Sequence, residues 1–175
     1  MKTKIIFLYL LALIACKNTA EIKSVESNNN KTMDVEKKGR VTGIGGIFFK
    51  CRDPKQMKDW YSGNLGLKTD EYGSMFEFRK SEEPYEKAYL QWSPFSEKTK
   101  YFEPSQKEFM INYRVENIEL LVNDLKQKGI VVLDSIESYD YGKFVHILDP
   151  EGNKIELWEP IDNDFTKSNE VKTAK

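Results

Sequence analysis

The chain predicts an α+β fold made of two copies of one unit, each running strand, helix, strand, strand, strand. Three observations carry that expectation. An apolar run at residues 41–51 leads straight into a capped amphipathic helix, and the same order starts again at residue 109. A shift of 64 residues then superposes the two starts, placing Ile47 on Ile111, Phe49 on Tyr113, Lys50 on Arg114, Asp53 on Asn117 and Met57 on Leu121. Self-similarity of this kind repeats a whole supersecondary unit, which no single apolar segment could establish.

Taken in order, residues 1–16 read as a targeting segment. Lys2 and Lys4 precede an uninterrupted apolar run of eleven residues, Ile5 to Ala15, too short to cross a bilayer as a helix but suited to a secretory signal. Leu13-Ile14-Ala15-Cys16 resembles a bacterial lipobox, so Cys16 is the expected lipidation site. Lys17 follows it with no Asp, which points to the outer membrane, extracytoplasmic side. Residues 17–39 are polar and lack either periodicity, as expected of a tether. Residues 40–161 form the expected domain, large enough for a core of its own, and residues 162–175 a polar tail.

Within the domain, residues 41–51 are rich in Ile, Phe and Gly, as a strand. Asp53 is placed to cap a helix with Pro54 at its first position and Gln56 three residues past the cap. Met57, Trp60 and Tyr61 give that helix an apolar face, and it ends between Gly63 and Gly66. Strands are expected at 67–71, 74–80 and 87–93. In the second copy, residues 109–115 form a strand and Asn117 is placed to cap a helix with Ile118, Leu121, Val122 and Leu125 on one face, stopped by Gly129. Strands at 130–139, 143–148 and 154–159 complete it. Asp149-Pro150-Glu151-Gly152 makes the last hairpin turn, and alternation then sets Glu156 on one face with Lys154 and Trp158. Gln91-Trp92-Ser93-Pro94 also echoes Leu157-Trp158-Glu159-Pro160, at a shift of 66.

The string from Asp149 to Pro160 resembles the closing strand of the glyoxalase/bleomycin-resistance/dioxygenase family, the vicinal oxygen chelate superfamily, over residues 41–160 of this chain. That resemblance implies two βαβββ modules in a curved mixed sheet around a pocket. Members commonly dimerise, so a homodimer is implied as well. It also implies four metal-ligand positions. They fall on Gly46, on Gln91 (or Leu90 if the internal repeat sets the register), on Met110 and on Glu156. Only Glu156 is a carboxylate. Gly and Leu have no donor side chain, Gln offers a weak carbonyl and Met a soft thioether, so no metal is the expectation. His146, the sole histidine, stands one strand from Glu156. It is either a structural residue or the partner of Glu156 in a non-standard divalent-metal or catalytic site.

If Gly46 and Met110 face the pocket, alternation puts Phe48, Lys50, Asn112 and Arg114 there too. Lys50 and Arg114 suit an anionic small molecule, or they reach the rim and pair with acids. Tyr141 belongs to a polar aromatic loop that is either a pocket wall or a plain hairpin turn. The aromatic-rich segment 85–102 is read as a pocket cover or a dimer surface. A net charge of −1 offers no basic footprint for nucleic acid. With Cys16 lipidated, Cys51 has no disulfide partner and reads as a small buried hydrophobe. The expected pocket residues are therefore Phe48, Lys50, Gln91, Met110, Asn112, Arg114, Tyr141, His146 and Glu156. The expected role is capture of a small molecule without a metal, and the alternative is lyase, isomerase or dioxygenase chemistry at Glu156 and His146.

Overall fold

The computed structural model describes residues 38–162; the expected signal segment, Cys16 and nearly all of the tether and tail lie outside the described residues. Seven strands and two helices follow in the order β1 (Arg40–Cys51), α1 (Pro54–Leu65), β2 (Ser74–Arg79), β3 (Lys87–Ser96), β4 (Phe109–Glu116), α2 (Ile118–Gln127), β5 (Glu137–Tyr139), β6 (Gly142–Leu148) and β7 (Lys154–Pro160). They make one curved mixed sheet in the order β2-β3-β1-β4-β7-β6-β5.

The expected duplication is visible in the pairing. β1 runs parallel to β3 as β4 runs parallel to β7, and the antiparallel pair β1–β4 joins the two modules at the centre. The first module comes out one strand simpler than expected, and the second keeps four strands with one of them much shortened. Residues 67–71 keep only a bridge between Thr69 and Ser74. Asp70 accepts hydrogen bonds from the backbone N–H groups of Tyr72 and Gly73, and that Asx turn competes with extension. Residues 130–139 likewise split into a bridge from Val132 to Ile147 and the three-residue β5.

Both helices lie on one face of the sheet. α1 begins as its sequence dictates, with the Asp53 carboxylate accepting from the Gln56 N–H at 3.0 Å, and it ends at Gly66 with φ 71°. Asn117 does not cap α2 through its side chain. Its backbone is left-handed at φ 52°, which turns the amide away, and Glu159 instead accepts from its N–H at 2.7 Å. Ile118 and Val122 of α2 pack with Val115, Val145, Ile147 and Leu157 in the larger core. On the α1 side, the Trp92 ring packs on Phe49 and Tyr61 at centroid distances of 5.3 and 4.6 Å.

The 66-residue echo of the two tryptophans is therefore not a structural equivalence. Trp92 faces α1, whereas Trp158 lies on the opposite, helix-free face, stacked on Phe144. By strand pairing the counterpart of Trp92 is Ile155: Trp92 lies beside Ile47 as Ile155 lies beside Ile111, a shift of 63, and Ile155 packs against the α2-side core. A slip by an odd number of residues exchanges the two faces of a strand, so the corrected register decides which side chains reach the site.

Candidate functional site

On the helix-free face, one row of paired positions crosses the sheet: Gln91 beside Gly46, Gly46 beside Asn112, Asn112 beside Glu156, and Glu156 beside His146. Five strands thus deliver five of the family's candidate or neighbouring positions to one line. Gln91 is on it and Leu90, on the α1 face with Trp92, is not. Met110 sits one pair further along, opposite Phe48.

Glu156 is buried, and protein groups hold both of its carboxylate oxygens. Asn112 donates to Oε1 at 2.6 Å, while the Tyr101 hydroxyl and His146 Nε2, the latter at 3.0 Å, contact Oε2. Beyond His146, Asp134 closes the chain: its carboxylate contacts Nδ1 at 2.6 Å and accepts from the His146 backbone N–H at 2.8 Å. The result is a continuous line, Tyr101–Glu156–His146–Asp134. Burial alone would lower the pKa of His146, but the hydrogen bond and charge of Glu156, with Asp134, prevail and raise it. Burial of the Tyr101 hydroxyl, with the charge of Glu156, pushes that phenol far above its ordinary value. Lys154 donates to the Tyr101 carbonyl at 2.6 Å, and its burial lowers its pKa.

The face is covered by the chain itself. After β3, residues 97–108 fold as a run of turns whose two ends are tied to β1, through Glu97 N–H to Cys51 O at 2.8 Å and Lys50 N–H to Glu108 O at 2.7 Å. This cover places the Phe102 ring, wholly buried, against Phe48, Met110 and Phe95, with the Tyr101 ring stacked on Phe95. The aromatic segment expected at 85–102 thus supplies a cover from its C-terminal end, while Tyr85 is almost fully exposed.

The remaining expected pocket residues are dispersed. Phe48 and Met110 belong to the aromatic cluster, and Lys50 places its Nζ over Phe102 at 5.6 Å. Arg114 lies opposite Gly43 on β4, seven residues along β1 from Lys50, or about 23 Å at 3.3 Å per residue. The two cations that the repeat aligns are not brought together. Gln91 turns its amide to Ser93 Oγ and the Tyr72 carbonyl, at 3.1 and 3.4 Å. Tyr141 lies at the β5–β6 hairpin, stacked on Tyr139. Arg114 is buried between the rings of Phe78 and Trp158, with a cavity of about 670 Å³ at its open side.

Sequence reasoning missed Tyr101 and Asp134. Both come from irregular segments, where no periodicity assigns a face. Lys154 was legible as a neighbour of Glu156 by alternation, although not its contact with the cover.

Over residues 43–157 the chain matches the family model described as Glyoxalase/Bleomycin resistance protein/Dioxygenase superfamily. The chain belongs to that superfamily. Solved structures agree on the fold: a Streptomyces coelicolor methylmalonyl-CoA epimerase variant in complex with 2-nitronate-propionyl-CoA is 15% identical, with a TM-score of 0.52, over 70% of this chain and 99% of that one. A second variant of that epimerase in the same complex is 18% identical, with a TM-score of 0.50, over 70% and 96%. No curated protein matches the chain.

Superfamily members often use a divalent metal, and the residues on this row do not suit one. Gly46 has no donor, and a Cβ built there would meet Phe48 Cε1 at 2.6 Å, so an aromatic ring fills the space a first-strand ligand would need. Gln91 points its amide elsewhere, Met110 is sealed among aromatic rings, and both Glu156 oxygens are engaged. Among the described residues, no group of three or more His, Cys, Asp and Glu side chains is placed to hold an ion. The row offers instead an imidazole with a carboxylate on each nitrogen, an arrangement that favours its protonated form, with the Tyr101 ring edge-on to it at 5.5 Å.

Proposed function

We propose that this superfamily domain binds a small anionic molecule without the metal centre that many of its relatives use. The observation that supports this reading most is the state of Glu156: its oxygens are saturated by Asn112, Tyr101 and His146, and the opposite ligand position is a glycine roofed by Phe48. A carboxylate so engaged would lose good hydrogen bonds in binding an ion, and one carboxylate with one imidazole supplies too few donors. The buried guanidinium of Arg114 beside the cavity supports an anion as the ligand class. A thermal-shift screen of small carboxylates and phosphates on the full-length chain, with and without EDTA, tests the reading. Binding that survives EDTA is expected. Binding that appears only with an added divalent ion overturns it.

A second reading has its own support, the 3.0 Å contact between His146 and Glu156 with Asp134 behind it. This arrangement suits proton transfer to a substrate admitted by displacement of residues 97–108, in a lyase or isomerase reaction. Turnover abolished by Glu156→Gln, with ligand affinity retained, would favour this second reading over the first.

We also propose that the chain is anchored through a lipidated Cys16 on the extracytoplasmic side, at the outer membrane. The signal pattern of residues 1–16 supports this. Incorporation of an alkyne-labelled fatty acid, lost in Cys16→Ala together with membrane fractionation, is the expected result. Soluble, unlabelled protein in the unaltered chain contradicts it.

A further inference from the structure

Arg114 is the most deeply buried cation of the domain, and its surroundings have the features of a ligand site. Its guanidinium lies between two aromatic rings, 5.9 Å from the Phe78 centroid and 5.1 Å from that of Trp158. One nitrogen donates to the Tyr89 carbonyl at 3.0 Å. The other donates to both carboxylate oxygens of Asp162, at 2.7 and 2.6 Å, and Lys80 Nζ stands 3.5 Å from the same carboxylate. The cavity of about 670 Å³ opens beside this pair.

Lys80 shares Asp162 with Arg114 and also reaches Glu83 at 3.4 Å, whereas Arg40 and Arg79 have other partners. Arg40 is held by Glu82 at 2.6 Å and by Glu116 at 2.7 Å, and Arg79 donates to the Tyr85 carbonyl at 3.0 Å. Those partners belong to strand β4 or to the β2–β3 connection. Asp162 instead comes two residues after the end of β7. Turning the chain away after Ile161, whose N–H is held by the Tyr141 carbonyl at 3.3 Å, would vacate the anion position without unpairing a strand. A buried arginine left without a carboxylate is strongly disfavoured, so the vacated position would select another one.

We propose that Arg114 and Lys80 form a carboxylate-binding site, and that Asp162 occupies it in this structure as an intramolecular stand-in for a small carboxylate ligand. The site rests on the anion-binding reading above and names its anchor. Phe78 and Trp158 flank the guanidinium and Tyr89 holds one of its nitrogens, which leaves the other to donate to both oxygens of a carboxylate. The rest of the ligand extends into the cavity.

The experiment removes the stand-in and supplies a substitute. Full-length Asp162→Ala, its double variant with Arg114→Met, and the unaltered chain are melted in about 50 mM sodium acetate and in sodium chloride of equal ionic strength. Acetate is expected to raise the Tm of Asp162→Ala by several degrees and to leave the other two unchanged. In case the double variant does not fold, the indole N–H resonance of Trp158 in Asp162→Ala gives a second reading, since acetate on Arg114 must shift it saturably. No rise and no shift, or an equal rise in the double variant, overturns the site and reduces Asp162 to a structural clamp. Failure here, with EDTA-resistant ligands still found in the screen, removes only this site. An acetate response with ligands that require a metal removes the metal-free reading and keeps the site.

Discussion

Phe102→Ala tests whether the chain closes its own cup. The side chain has no exposed surface and packs on Phe48, Met110 and Phe95. Exposing a fully buried aromatic forfeits about 1.5–3 kcal/mol of transfer free energy. Each 50 Å³ of void that the cluster fails to collapse adds about 1.2 kcal/mol, at roughly 24 cal/mol per Å³. Loss of the tilted ring contact with Phe95, at 5.3 Å, adds about 0.5–1.5 kcal/mol. The expected cost is about 3–5 kcal/mol, a large part of the 5–15 kcal/mol typical of a domain. Urea unfolding followed by circular dichroism measures it, with Tyr85→Ala as control. Tyr85 belongs to the same aromatic segment but is 95% exposed, so its loss should change stability by no more than about 0.5 kcal/mol. A cost below about 1 kcal/mol for Phe102→Ala would refute the seating of residues 97–108 in the cup.

Gly45→Ala tests the register of the row, because its Cβ would lie 2.2 Å from Asn112 Oδ1 and 2.8 Å from Trp158 Cε3. Overpacking of this kind should cost about 1–3 kcal/mol in urea unfolding, and a neutral substitution would show that Asn112 is elsewhere. His146 is the sole histidine, so one imidazole resonance reports its titration by NMR. Its folded pKa is raised above the ordinary 6.5, so its contribution to stability is complete below about pH 6.5 and disappears as pH rises through the folded value. Stability should therefore fall with rising pH in that window, and His146→Gln should remove this dependence; an imidazole titrating below 6.5 contradicts the pairing with Glu156. Tyr101 should be the tyrosine that resists ionisation in an alkaline absorbance titration, and Glu156→Gln should bring it down.

How much of this was legible in the sequence follows from how local each signal is. The Asp53 cap, the Pro at the start of α1 and the Asp149-Pro150-Glu151-Gly152 turn act within a few residues, and the repeat then assembles them into two modules. The alternation of residues 154–158 put Glu156 beside Lys154 and Trp158 correctly. Register across strands was harder. Matching Trp92 to Trp158 followed residue identity, while the fold follows pairing and facing, and Trp92 corresponds to Ile155. The chemistry of the site was least legible, because Tyr101 and Asp134 reach Glu156 and His146 from turns separated from them in sequence by 55 and 12 residues. Loop side chains acquire their direction from tertiary packing, which no periodicity encodes. The same holds for Arg114, whose partner Asp162 lies beyond the final strand.

Metal content tests the central claim most directly. The full-length chain, produced with zinc, manganese, cobalt and nickel supplied, is analysed by elemental mass spectrometry beside Glu156→Ala and His146→Ala. The hydrogen-bonded saturation of Glu156 predicts far less than one divalent ion per chain in all three proteins. One ion per chain, lost in both variants, would contradict it.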